Sequence, residues 1–224
     1  GALFMQVNRN KRGLTLNPMK PEGREVVRRL VATADVVVAN LPDAALEAMG
    51  LDYVSLAAAK PDVILTSVSA FGAGGPYSAK TGFDGIGQAM SGAMYLSGSP
   101  GQPTKSYVPW VDFTTALSAA VGTLAALMAR QRTGRGQEID IALFESIFRV
   151  LDEMAPLYAA TGFVRPRLGL GTVNVCPHGH FECGDGEWVA IACTSDKMWV
   201  RMAEVLGRPE FGSDERYKTA ANRV

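Results

Sequence analysis

The chain has 224 residues, enough for one or two domains with a sizeable core. Hydrophobic residues make up 47% and charged residues 20%, the composition of an ordinary soluble globular protein. Lys plus Arg and Asp plus Glu balance at 22 each, so no overall field draws nucleic acid or an anionic membrane surface, and ligands must be recognised by local sites.

The chain opens on Gly1-Ala2-Leu3-Phe4-Met5 and passes at once into a basic run, Asn8-Arg9-Asn10-Lys11-Arg12, the wrong order for a secretory signal. The run reads either as a solvated loop or as a phosphate and adenine clamp, in which Arg stacks on a ring and Lys meets phosphate. Gly13 to Asn17 reads as a strand. Pro21 and Glu22 open a helix, with Val26, Val27, Leu30 and Val31 on its apolar positions. A strand follows at Val36 to Ala39, bounded by Asp35 and Asn40. Short helical patterns run from Asp43 to Met49, closed by Gly50, and from Tyr53 to Ala59. Pro61 to Val68 is a buried strand by its near-continuous apolar run. Such strands separated by helices predict an α/β fold: a mostly parallel sheet with helices on both faces.

Gly72-Ala73-Gly74-Gly75 comes next. It follows a strand, as phosphate loops do, but lacks the full dinucleotide fingerprint and has no Gly-Lys-Ser or Gly-Lys-Thr, so a tight turn with positive φ is the simpler reading. A helix is expected at about 84–96, then loop from 98 to 107. A long helix is expected from about Phe113 to Arg132. Its uncharged stretch of roughly 17 residues sits at the lower edge of membrane-spanning length. Thr114, Thr115, Ser118, Gly122, Thr123 and many alanines make it weakly apolar, so the expectation is a helix buried on all sides and no membrane. Asp112, just before it, reads as an N-cap. The same position would keep a carboxylate ionised, and an ionised, partly desolvated carboxylate is a nucleophile for an activated carbonyl; nothing local separates the two.

Glu138 to Ile141 is an edge or half-buried strand by its alternation, and a helix is expected from about Leu143 to Ala159. The character then changes. The domain expectation is 1–165 as the large, Rossmann-like domain, 166–174 as linker, and 175–224 as part of a smaller α+β domain. The latter begins with a hairpin turning at Gly184-Asp185-Gly186 and continues into a helix, Asp196 to Leu206. Cys176, His178, His180 and Cys183 do not have the spacing of a zinc knuckle, so no metal is expected. Three cysteines in a chain this long point to a reducing compartment, hence the cytoplasm, rather than a disulfide framework.

Several of these pieces in order resemble the family III CoA-transferases of CaiB/BaiF type, which include carnitine, formate and bile-acid CoA-transferases. They are Asn8 to Gly13, Pro21-Glu22-Gly23-Arg24, Ala34 to Asn40, Ser69-Ala70-Phe71-Gly72 with Gly75-Pro76-Tyr77, Gly82-Phe83-Asp84 with Gln88 to Gly92, and Arg132 to Gln137. The resemblance covers nearly the whole chain. Family members are longer at both ends, so the chain is expected to be truncated, and they form homodimers whose chains interlock.

The resemblance implies a transfer of coenzyme A from an acyl-CoA donor to a carboxylic acid acceptor through a covalent aspartyl intermediate. It places Asp112 at the nucleophile and Asp84 at an acidic position near it. It places Asn8, Arg9, Asn10, Lys11, Asn40, Leu41, Pro42, Thr81, Gly82 and Phe83 at CoA-contacting positions. Gly169 and Gly171 match a glycine loop that closes over the substrate. Leu41-Pro42 departs from the usual Phe-Gly, and a basic CoA contact falls on Ala48. Two rivals remain. A racemase of the same fold would need a histidine where Phe83 stands. A non-catalytic CoA-binding fragment would have a nucleophile without a complete site. By the same resemblance the segment Asn174 to His178 faces the substrate, and its polar groups suit a short dicarboxylic acid.

Overall fold

The computed structural model describes residues 1–224. Helix α1 (Ala2–Val7) leads to α2 (Pro21–Val31), strand β1 (Val36–Ala39), α3 (Asp43–Met49), α4 (Tyr53–Ala59) and β2 (Ile64–Ser69). Then come α5 (Asp84–Met90), α6 (Ala93–Leu96), the long α7 (Trp110–Thr133) and β3 (Gln137–Ala142). The remainder is α8 (Leu143–Phe148), α9 (Met154–Thr161), β4 (His178–Glu182), β5 (Trp188–Ala192), α10 (Asp196–Val205), a 3₁₀ turn at Pro209–Gly212 and α11 (Ala220–Arg223).

The chain forms two compact units. The first comprises Gly1–Gly82 and Phe113–Leu143; the second comprises Phe83–Asp112 and Phe144–Val224. The expected boundary at 165 falls inside the second unit. That boundary follows a change in composition, whereas a unit is defined by packing.

In the first unit β1, β2 and β3 form a parallel sheet in that order, with Val36 beside Ile64 and Ile64 beside Gln137. Only the central strand is covered on both faces. Ile64, Leu65, Thr66 and Ser67 are all buried, while β1 exposes Val38 and β3 exposes Glu138 and Asp140. The alternation read in β3 fits its place at the edge of this sheet. Val31, Leu46, Leu56, Val63 and Leu65 make the core under the sheet. Full burial of side chains of this size stabilises by about 1.5–3 kcal/mol each.

Helix α7 runs between the two parallel strands β2 and β3. Thr66 and Thr123 hydroxyls pair at 2.6 Å, and Arg130 Nη2 meets the Asp35 carboxylate at 2.8 Å, tying the helix to the sheet. Gly122 permits a close approach, because a Cβ there would lie 3.2 Å from Ile139 Cγ2. The helix is not buried on all sides. Thr115, Ala119 and Ala126 are buried, but Phe113, Leu117, Val121, Leu124 and Met128 form an exposed apolar row.

Three further expectations change. Gly13–Asn17 forms no strand; it runs beside α2, where a Cβ on Gly23 would lie only 1.9 Å from the Asn17 carbonyl oxygen. The helix expected over 84–96 breaks into α5 and α6 at Gly92, which adopts φ +94°. The helix expected over 143–159 breaks into α8 and α9, with Asp152 at φ +63°.

In the second unit β4 and β5 form the expected antiparallel hairpin, with His178 opposite Ala192. Helix α10 begins at a Ser195 cap and buries Trp199 and Ala203. The Trp199 indole N–H donates to the Phe211 carbonyl at 3.0 Å.

Candidate active site

The second unit holds both acidic candidates. Asp84 is the first residue of α5, and its side chain turns inward rather than into solvent; the residue is only 8% exposed. A buried carboxylate needs partners. Its Oδ1 accepts the Val111 backbone N–H at 3.0 Å, and its Oδ2 accepts from Gln88 Nε2 at 2.6 Å. Gln88 stands four residues on, one helical turn away and also buried. Its Oε1 accepts the Ser106 N–H at 2.9 Å and its Nε2 donates to the Ser106 carbonyl at 3.2 Å. The pair thereby fixes both the loop before α7 and the first turn of α7 itself.

Asp112 follows directly on Val111. The helix starts at Trp110, so Asp112 lies in its first turn and is not its cap. A first-turn acid is favoured by the helix dipole. Here that is not the winning effect. Burial, and after it the negative charge of Asp84, push the Asp112 carboxyl above its ordinary value. The expectation that the helix end alone keeps this carboxylate ionised is corrected accordingly. Asp112 is still open to solvent on one side, so it is accessible, partly desolvated and repelled by a fixed neighbour. A carboxylate in that setting is poorly stabilised by its surroundings and gains from forming a bond to an acyl carbon.

The other expected positions fall into separate groups. Asn8 to Lys11 form the turn after α1, with Asn10 at φ +65° and Asn8 Nδ2 donating locally to the Phe4 carbonyl. Asn40, Leu41 and Pro42 follow β1 at the carboxyl end of the parallel sheet, the edge where open α/β folds bind ligands. Asn40 Nδ2 also has a structural task, donating to the Val68 carbonyl at 2.8 Å across to β2. Thr81 is exposed and ends the first unit with Gly82. Phe83 opens the second unit and is 82% exposed, a large apolar ring left in water.

The glycine-rich turn is a turn in fact. Gly72 and Gly74 both have φ +72°. Two of its N–H groups are taken by internal acceptors: Gly72 donates to Ser69 Oγ at 2.9 Å and Ala73 to the Asp140 carboxylate at 2.7 Å. No phosphate is needed to satisfy them.

Gly169 and Gly171 line a cavity of about 310 Å³ in the second unit, together with Arg165 and His178. His178 and His180 lie two apart on β4 and so share a face of the hairpin. The three cysteines are unpaired.

A profile of CoA-transferase family III matches residues 1–224. The chain belongs to CoA-transferase family III. It is 41% identical over 218 residues to the succinyl-CoA–L-malate CoA-transferase alpha subunit of Chloroflexus aurantiacus, covering 96% of this chain and 51% of that one. It is 38% identical over 224 residues to the succinate–glutarate CoA-transferase of Agrobacterium fabrum, covering 100% of this chain and 56% of that one. Among solved structures, a CaiB/BaiF family protein from Brucella suis superimposes with a TM-score of 0.79 at 40% identity, covering 95% of this chain and 56% of that one. The chain thus spans about half the length of the curated relatives it matches.

Two residues near these positions in this CoA-transferase family member carry little signal in the sequence. Gln88 enters the sequence reading only within a family motif, although an acid and an amide at i and i+4 signal a mutually satisfied pair. Arg165, at the end of the expected large domain, lines the cavity with Gly169 and His178; a single arginine between Val164 and Pro166 carries no signal until its surroundings are known.

Proposed function

We propose that the whole protein transfers coenzyme A between carboxylic acids, with Asp112 as the nucleophile. The observation that carries this reading is the match of the entire chain to CoA-transferase family III, together with relatives named for that reaction. The setting of Asp112 supports its role: accessible, partly desolvated and held beside the buried Asp84.

The reaction balances without water or a net proton. The Asp112 carboxylate attacks the donor thioester carbonyl, the C–S bond breaks, and a mixed anhydride and CoA thiolate result. The thiolate attacks the Asp112 carbonyl of the anhydride, releasing the donor acid and leaving an aspartyl-CoA thioester. The acceptor carboxylate attacks that thioester and expels the thiolate again. The thiolate then attacks the acceptor's acyl carbon, giving the new acyl-CoA and regenerating Asp112. Each step keeps the acyl group activated, provided water is excluded. Asp84 is a positioning residue here, acting through Val111 and through Gln88 on the preceding loop.

Coenzyme A is held, in this reading, by Asn8 to Lys11, Asn40 to Pro42 and Thr81 to Phe83. The protein acts as a homodimer in the cytoplasm; the exposed apolar row on α7 supports a protein surface against it. Transfer is preferred over racemisation because Phe83 stands where that reading needs a histidine, and a phenyl ring carries no proton to transfer. Named relatives act on succinyl-CoA, malate and glutarate, which supports short dicarboxylic acids as substrates.

The test is chemical trapping. Succinyl-CoA with hydroxylamine is expected to leave a hydroxamate on the peptide carrying Asp112, and borohydride is expected to reduce the thioester there. Transfer that proceeds with Asp112 unmodified, or that survives Asp112→Asn, would overturn the assignment.

A further inference from the structure

The first 24 residues carry five cations, Arg9, Lys11, Arg12, Lys20 and Arg24, against a single acid, Glu22. All five are exposed, and none forms an ion pair. Arg24 differs from the others in being held. It stands in the first turn of α2, and its guanidinium is fixed along one edge: Nε donates to the Pro18 carbonyl at 3.3 Å and Nη2 donates to the Ala48 carbonyl. Those carbonyls belong to separate segments, the strap that leads from the basic run into α2 and the last turn of α3. The strap is itself seated on α2. Lys20 N–H donates to the Asn17 carbonyl at 3.2 Å, and Gly23 has no Cβ to displace that carbonyl.

Carbonyl partners orient a guanidinium without neutralising it. The contrast lies one turn on. Arg28 gives the same edge, Nε and Nη2, to the Glu25 carboxylate, both at 2.8 Å, and its charge is compensated there. Arg24 keeps its charge. Its opposite edge, Nη1 with the outward hydrogen of Nη2, has no partner, and the residue is open to water. That edge is a fork able to take two oxygens of a phosphate. The side chain is already ordered by its carbonyls, so it loses less freedom when an anion arrives. Residues 32–35 alone join α2 to β1, so α2 runs back along the strand and its first turn lies toward the carboxyl end of the sheet. Asn40 to Pro42 emerge at that end, where open α/β folds bind ligands.

We propose that Arg24 binds a phosphate group of coenzyme A, as a preset fork between the strap and the end of α3. The proposal rests on the CoA-transfer reading and adds to it a residue that the family motifs do not assign to CoA. Lys20, in the cap position of α2, and the basic run add an attraction that salt screens. CoA offers two sources of phosphate, the 3′-phosphate on its ribose and the diphosphate bridge.

Two measurements test this. In the first, the unaltered protein is treated with phenylglyoxal, which modifies accessible guanidinium groups, and Arg24 is followed by peptide mass. CoA is expected to protect Arg24; pantetheine, which has no phosphate, is expected to leave it reactive. In the second, CoA and dephospho-CoA are titrated calorimetrically into the protein and into Arg24→Lys and Arg24→Gln, with thermal melts to confirm folding. CoA affinity is expected to fall about 10–100-fold in Arg24→Gln, the range for charge-assisted hydrogen bonds, and less in Arg24→Lys, which keeps the charge without the fork. A loss confined to CoA assigns the 3′-phosphate; an equal loss with dephospho-CoA assigns the diphosphate. In transfer assays the Arg24→Gln defect is expected in KM for succinyl-CoA, with kinetics on succinyl-pantetheine unchanged. Arg24 still reactive under excess CoA, unchanged CoA affinity in folded Arg24→Gln, or an equal defect with succinyl-pantetheine overturns the proposal. The last result would make Arg24 only a brace between the strap and α3. Failure of the CoA-transfer reading would look different: no adduct on Asp112, with Arg24-dependent CoA binding intact.

Discussion

Asp112 shows how a residue's neighbours decide its chemistry. The helix dipole favours its charge, but burial and the Asp84 charge outweigh that and raise its pKa. An acid whose pKa is higher folded than unfolded binds its proton more tightly in the native state. It is therefore neutral toward folding below its unfolded pKa and opposes folding as pH rises from there through the folded value. Asp112→Asn is expected to abolish transfer and yet raise Tm at pH 7. The gain is expected to vanish as calorimetric scans approach about pH 4, where an unperturbed Asp is itself half protonated. No gain at pH 7 would mean that the site does not strain this carboxylate. The same argument gives Asp84 a measurable role. In Asp84→Asn the repelling charge is gone, so the acidic limb of the kcat/KM profile moves to lower pH. Its side-chain amide then faces Gln88 Nε2, donor against donor, and stability falls by about 1–3 kcal/mol.

At the scale of elements, close approaches between backbones do what no side chain advertises. Gly136 precedes β3, and its N–H donates to the Pro61 carbonyl at 3.4 Å. A Cβ there would lie 2.0 Å from the Val63 carbonyl oxygen and 2.8 Å from the Val63 nitrogen. Neither atom is the end of a flexible side chain, so the strand itself would have to shift. Gly136→Ala is expected to cost about 2–4 kcal/mol, read as a lower urea midpoint at unchanged slope. A neutral result would show that β3 can slide on β2. Helix α7 illustrates the opposite case. Its composition reads as buried all round, but from Thr115 on the face that is buried or turned to the sheet is made of small and hydroxyl-bearing residues, Thr115, Ala119, Gly122, Thr123 and Ala126. Its larger residues, such as Leu117, are left outside. Close packing selects small residues where a helix must approach a sheet, and hydropathy does not distinguish that from lipid or core.

For the whole molecule the question is whether 224 residues carry a working CoA site, since the relatives are about twice as long. The positions assigned to CoA lie on the turn after α1, the loop after β1 and the Thr81–Phe83 segment, none of them in the core. Calorimetric titration of the chain with CoA is expected to give saturable binding that Arg9→Ala weakens. Heats that never saturate would mean that the site needs chain beyond these residues, and would favour the reading of a CoA-binding piece without its own catalysis.

The sequence by itself determined the α/β class, most of the elements and the family. Those features are local or repetitive: β1, α3, α4 and the 178–192 hairpin are set by apolar runs, caps and turn glycines within a few residues. The family follows from motifs that stay in order along the chain. Tertiary structure alone decided the rest. Gly13–Asn17 had strand composition but no neighbouring strand to pair with. Asp112 had the position of a cap, yet the helix began two residues earlier, and burial, then a buried acid 28 positions back, raise its pKa. Arg165 and His178 lie in separate segments of sequence and meet only around a shared cavity. Pairing, desolvation and convergence depend on residues distant in sequence, and no local pattern records which distant residues will arrive.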